Sequence, residues 1–91
     1  MGDVETAYYL RLDAADEPGV LAEVTNILGG LNISIEALVQ KEPLDGALTV
    51  PVIILTHRVF EAKMDDAISR IEALSTITGK VTRIRLEGLD A

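Results

Sequence analysis

One histidine and no cysteine are the chain's whole supply of the side chains that most often act as proton shuttle, thiol nucleophile or zinc ligand. His57 stands beside Arg58 with no second histidine to complete a metal-ligand spacing, and reads as a residue at the end of a strand. The absence of cysteine excludes disulfides, thiolate metal sites and cysteine nucleophiles. Carboxylates are more plentiful. Asp65-Asp66 are neighbours on a predicted helix, where adjacent side chains diverge, so they read as a solvated face. Asp13 and Asp16-Glu17 flank a different kind of feature, the segment Asp16-Glu17-Pro18-Gly19-Val20-Leu21. A glycine at a helix start lets a ligand approach unpaired backbone N–H groups, which together with the helix dipole hold an anion such as a carboxylate. Pro-Gly openings are also ordinary helix caps, and the residues alone leave both readings open. The inventory favours reversible binding over covalent chemistry.

The elements that position this segment follow from periodicity. Tyr8, Leu10 and Leu12 alternate with Tyr9, Arg11 and Asp13, a strand over about residues 6 to 13 with one face buried. Val20, Leu21, Val24, Ile27 and Leu28 recur at helical spacing, with Pro18 in the first turn and a stop at Gly29-Gly30. A second strand has Ile33, Ile35, Ala37 and Val39 on one side and Ser34, Glu36, Leu38 and Gln40 on the other. Glu42 to Gly46 is turn chemistry, and Leu48 to His57 is a third strand that pairs with the second as a hairpin. Pro51 cannot donate a ladder hydrogen bond and so marks a strand start, an edge or a bulge. Met64, Ala67, Ile68, Ile71 and Leu74 give a second helix over about 60 to 74, with Asp66 and Arg70 as an i,i+4 ion pair. In the last strand Thr82, Ile84 and Leu86 alternate with Arg83, Arg85 and Glu87.

The order is βαββαβ, which predicts an α+β fold of the ferredoxin-like kind: a four-stranded antiparallel sheet with both helices on one face. Tyr9, Arg11, Glu36, Leu38, Arg83 and Arg85 are then expected on the face away from the helices, a mixed apolar and charged surface suited to pairing. The 91 residues make one domain, expected over 6–87 with short tails at 1–5 and 88–91. A chain this short builds a marginal core, so a homodimer or higher oligomer is expected. The longest purely apolar run, Val52 to Leu55, is far below the roughly 20 residues of a membrane span, and no signal-peptide pattern is read, so the expectation is a cytoplasmic protein without membrane partners. A formal charge of −7 and only three aromatic residues (one Phe, two Tyr) oppose nucleic-acid binding.

The run Asp16-Glu17-Pro18-Gly19-Val20-Leu21 after a strand, followed by Leu31-Asn32-Ile33-Ser34-Ile35 leading into the next strand, resembles the ACT domain, a small amino-acid-binding regulatory module, and the likeness extends from Tyr8 to Glu87. Tyr8 to Leu12, Ile33 to Glu36 with Gln40-Lys41, and Val52 to His57 look most like the ACT domain at the C-terminus of bacterial homoserine dehydrogenases. The resemblance implies feedback control, with threonine as effector and a ligand held where Asp16, Glu17, Pro18, Gly19 and Val20 of one copy meet the second-strand entry of its neighbour, where Asn32 contacts ligand in some members. Asp16 would pair with the ammonium, backbone N–H groups from Glu17 to Val20 would take the carboxylate, and Asn32 offers both a donor and an acceptor. Several amino-acid-binding relatives carry Asn where Asp16 stands and His where Ala14 stands, which bears on the ligand's orientation. The resemblance also implies a catalytic domain in the parent chain that uses NAD(P). The 91 residues themselves hold no Gly-x-Gly-x-x-Gly loop, so no cofactor, no metal and no catalytic residue is expected in them. An oligomerisation module with a degenerate ligand site is the alternative. An acylphosphatase-like enzyme is excluded because the loop after the first strand is acidic, the wrong charge for a phosphate cradle.

Overall fold

Tyr8, Leu10, Leu12 and Ala14 are each almost fully buried in the computed structural model, which describes residues 5–42, 46 and 48–86. They form the inward row of β2 (Tyr8–Ala15). The other elements are β1 (Glu5–Thr6), α1 (Val20–Gly30), β3 (Ile35–Gln40), β4 (Thr49–Thr56), β5 (Val59–Phe60), α2 (Glu61–Glu72) and β6 (Ile77–Arg85). The main sheet has the order β3-β4-β2-β6 and every pairing in it is antiparallel. β2 therefore lies inside the sheet, and the row it buries meets Val20, Val24 and Leu28 of α1 and Met64, Ala67 and Ile71 of α2 in one core. Each fully buried side chain of this size contributes about 1.5–3 kcal/mol of transfer free energy. The ferredoxin-like arrangement is thus present, with one addition the periodicity missed: β1 pairs with β5 as a separate two-residue ladder. Pro43, Leu44 and Asp45 of the predicted turn, the domain limit at Glu87 and the tail residues 1–4 and 88–91 lie outside the described residues, while Glu5 of the expected first tail belongs to β1.

Two strands differ from the period-two reading, each through a break in register. In β3 the pairing with β4 slips between Ile35 and Ala37. Leu38 and Gln40 then stand opposite Ile54 and Val52 and share their inward face, while Ala37 and Val39 move to the open face. Leu38 packs on the core and Val39 is 49% exposed, the reverse of the expectation. In β6 the register shifts opposite the Arg11–Asp13 step of β2. Gly79 takes φ +70 within the irregularity, and the Glu72 carboxylate accepts the Val81 N–H at 2.7 Å. Beyond it Arg83 and Arg85 stand opposite Leu10 and Tyr8, on the helix side. Their guanidinium groups reach Asp65 (2.5 Å) and Glu61 of α2, and Ile84 faces out, 51% exposed. Arg83 and Arg85 are therefore not part of the open face. The Asp66–Arg70 pair forms at 3.0 Å as its spacing predicts.

Pro51 sits in an interior strand, yet its place is the one such a strand tolerates. In an antiparallel ladder a residue's N–H and C=O point to the same neighbour. The Pro51 carbonyl accepts the Lys41 N–H at 2.9 Å, so its nitrogen faces Lys41 just where β3 has ended. The proline removes only the last rung.

The Tyr8 hydroxyl is buried without a hydrogen-bond partner, and Arg83 lies 5.9 Å from the ring centroid. Burial, reinforced by the Glu61 carboxylate and opposed by Arg85 and Arg83, holds the Tyr8 phenol above its ordinary value of 10.0. Folded protein keeps this proton to higher pH than the unfolded chain. The associated stability is present below pH 10 and is lost as pH rises through the raised pKa. Urea unfolding across that range should show an alkaline fall that is smaller in Tyr8→Phe, whose stability at neutral pH should stay within about 1 kcal/mol of the parent because the lost hydroxyl had no partner. The β3 register is tested separately: Leu38→Thr should cost roughly 1–2 kcal/mol and Val39→Thr about 0.5 kcal/mol or less. The opposite order would contradict the break at Glu36.

Candidate ligand site

Strand β2 ends between two neighbours that hold its last residues in place. The Ala15 N–H donates to the Thr76 carbonyl at 2.7 Å, and the Asp16 N–H to the Leu48 carbonyl at 3.2 Å. The chain then turns sharply, with the Glu17 N–H donating back to the Ala15 carbonyl at 2.9 Å. Pro18 follows and Gly19 is the N-cap of α1, at φ 86 and ψ −10. That left-handed conformation is available to glycine at little cost and strains other residues. No side chain caps the helix. The first intrahelical bond runs from the Glu23 N–H to the Gly19 carbonyl (3.1 Å), which leaves the N–H groups from Gly19 to Ala22 without intrahelical acceptors.

This differs from the sequence expectation in a way that matters for binding. The helix begins one turn position later than expected, so Pro18 precedes it. Glu17 has spent its N–H on Ala15 and Pro18 has none, so the available donors are Gly19, Val20, Leu21 and Ala22. Around them lies an open cleft of about 440 Å³, lined by Ala14 to Ala22 together with Gln40 and Val50. Asp16, Glu17, Pro18, Gly19 and Val20 are thus gathered at one site. Among the described residues its acidic groups are Asp16 and Glu17, and no lysine or arginine lines it. The dipole and N–H groups at the helix start supply the positive potential, while the Asp16 carboxylate supplies the negative. Gln40, a side-chain amide with both donor and acceptor, was missed as a lining residue because its face depends on the register slip in β3.

Asn32 is not in the cleft. It lies past the far end of α1, roughly 16 Å away by the length of an 11-residue helix. There it has φ 60, the one described non-glycine residue with positive φ. The Asn32 N–H donates to the Gly29 carbonyl at 3.0 Å and the Ile33 N–H to the Leu28 carbonyl at 2.9 Å. This is a Schellman cap, with the buried Ile33 and Leu28 as its hydrophobic pair. The helix therefore runs through Gly29 and Gly30, and asparagine supplies the left-handed residue.

Among the described residues no group of three or more His, Cys, Asp or Glu side chains could hold a metal ion, and no helix is long and apolar enough to cross a membrane. The strand-to-helix loop and helix start are set on a βαββαβ sandwich, and the model of the ACT domain family matches residues 8–76. The chain belongs to the ACT domain family. Over 89 residues it is 58% identical to a homoserine dehydrogenase of Methylobacillus glycogenes, covering 98% of this chain and 22% of that one. It is also similar to a crystal structure of a homoserine dehydrogenase from Thiobacillus denitrificans, at 51% identity and a TM-score of 0.82 over 92% of this chain and 18% of the other. The chain thus spans about a fifth of the relatives it matches. The ACT domain of a GTP pyrophosphokinase from Chlorobium tepidum shares the fold at 11% identity, with a TM-score of 0.69 and all of that chain covered.

Because the Asn32 backbone is left-handed, Asn32→Gly should leave the urea midpoint nearly unchanged, whereas Asn32→Val should cost about 1–2 kcal/mol. Equal losses in the two variants would show that the amide side chain, and not the backbone angle, carries the stabilising role.

Proposed function

We propose that this ACT domain binds a free amino acid, threonine, and transmits its occupancy to an NAD(P)-dependent homoserine dehydrogenase of which it is the regulatory part. The single observation that carries the reading is the cleft at the start of α1. There, N–H groups from Gly19 to Ala22 that have no acceptor among the described residues suit a carboxylate, and the Asp16 carboxylate lies where an ammonium can pair with it. The similarity to homoserine dehydrogenases along nearly the whole chain supports a parent enzyme of that kind. Threonine's hydroxyl and methyl suit the remaining lining, the Gln40 amide and the Val50 side chain.

One chain cannot bring Asn32 to the cleft, since α1 separates them. In the proposed site Asn32 comes from a second copy, so that the ligand lies between two copies and its binding is coupled to their arrangement. The alternative, an oligomerisation module with a degenerate site, draws on the full structural account that the Schellman cap gives for Asn32.

Titration calorimetry with threonine and other amino acids separates these readings. Threonine should bind with a measurable heat, and Asp16→Asn should weaken it by about tenfold, or 1.4 kcal/mol, through loss of the ammonium partner. Asn32→Gly, which keeps the backbone conformation, should also weaken binding while leaving the oligomer's mass unchanged. No heat and no thermal shift with any amino acid at millimolar concentration would sink the proposal.

A further inference from the structure

The open face of the sheet carries a second cleft, of about 400 Å³, lined by Tyr9, Arg11, Lys41, Pro51 and Ile53. Its construction follows from register. Arg11 stands opposite Ile53, and the Lys41 N–H is bonded to the Pro51 carbonyl, so the two cations rise from either side of β4. Strands lie 4.7–4.9 Å apart and rise about 3.4 Å per residue, and Lys41 is level with Pro51, two residues from Ile53, which sets the two backbone origins about 12 Å from each other. Side chains as long as arginine and lysine can converge over that gap, above a floor of Pro51 and Ile53.

The charge here runs against the rest of the chain. The formal charge is −7, and Arg70, Arg83 and Arg85 are each paired with a carboxylate. Arg11 and Lys41 are exposed, and neither forms an ion pair among the described residues. Asp13 shares the open face two residues along β2, opposite Pro51 and therefore across β4 from Lys41, but among the described residues it forms no ion pair with Arg11 or Lys41. Two cations held over an apolar floor are matched by a group that carries close to two negative charges. A phosphate monoester carries about −1.5 to −2 at neutral pH, whereas a carboxylate would leave one cation unmatched. Arginine offers a planar fork to such a group and lysine a point charge, so both can engage its oxygens together. The half-buried Tyr9 ring and the faces of Pro51 and Ile53 offer apolar contact to whatever the phosphate is attached to.

We propose that this cleft is a binding site for a small organic phosphate, with the phosphoryl group held between Arg11 and Lys41 and its organic part resting on Pro51 and Ile53 beside Tyr9. The site lies on the opposite side of the sheet from the helices and shares no lining residue with the cleft at the start of α1. It stands whether or not that cleft binds an amino acid.

The test is a titration of the 91-residue chain with phenyl phosphate, followed by backbone amide NMR, with inorganic phosphate and benzoate as controls. Saturable shifts are expected at Tyr9, Arg11, Lys41 and Ile53, with phenyl phosphate binding more tightly than either control and all binding weakened by added salt. Arg11→Gln and Lys41→Gln should each weaken phenyl phosphate by about tenfold. Both positions are exposed, so the variants' amide spectra should otherwise match the parent. Asp16→Asn should leave the affinity unchanged. Three results would each overturn the proposal: no saturation at millimolar phenyl phosphate, unchanged affinity in the Arg11→Gln/Lys41→Gln double variant, or shifts confined to Gly19 through Ala22. Shifts at the cleft residues that grow with protein concentration alone would assign the face to a second copy and overturn it as well.

Discussion

β2 has a neighbour on each side and two helices beneath, so the burial of Tyr8, Leu10, Leu12 and Ala14 is the constraint on which every other placement rests. A strand with one buried row has a fixed face, and a slip by one residue would exchange Leu10 and Leu12 for Arg11 and Asp13 in the core. The cost of burying those charges is prohibitive, which makes β2 the reference for both adjoining strands. Where β3 and β6 cannot keep step with the sheet, they bulge; β2 does not move. The open-face row of Tyr9 and Arg11 is fixed by the same requirement, since it is whatever the core row leaves on the other side.

The constraint reaches the ligand cleft through the backbone. The bonds from Ala15 to Thr76 and from Asp16 to Leu48 tie the end of β2 to the segments before β6 and β4. A third tie runs from the Thr76 hydroxyl to Glu23 of α1 at 3.0 Å. The turn before α1 is thus held from three directions, and Gly19 absorbs the change of direction with its positive φ. A Cβ built at Gly19 would meet nothing within 4 Å, so the glycine is required by the backbone angle alone, not by crowding. The wall of the cleft is tied by hydrogen bonds while its donors have no intrahelical acceptors, a combination that suits binding without refolding.

Much of this was legible in the residues. The β2 alternation, both helices, the element order and the loop from Asp16 to Val20 were readable because each rests on a local pattern that tertiary contacts reinforce. The faces of β3 and β6 were not. Alternation assumes an unbroken ladder, and nothing local in Ile35-Glu36-Ala37 announces a bulge. In β6 the signals were present but ambiguous. A glycine such as Gly79 ends a loop as readily as it marks a bulge, and the carboxylates of Glu61 and Asp65 that draw Arg85 and Arg83 to the helix side become neighbours only after folding. Asn32 carried two meanings at once. Its left-handed backbone is ordinary for asparagine after a helix, and the same residue type is what a polar ligand contact needs.

The length of α1 sets a further relation. In the proposed site, with the cleft at one end of α1 and Asn32 at the other, each chain would supply two separated half-sites, and a symmetric pair of copies would complete both of them or neither. In an assembly of the proposed kind, ligand binding and subunit association are linked equilibria, so each strengthens the other by the same free energy. The apparent affinity for effector then depends on how much of the protein is present. An 11-residue helix would thereby make the sensor report its own abundance along with that of its ligand.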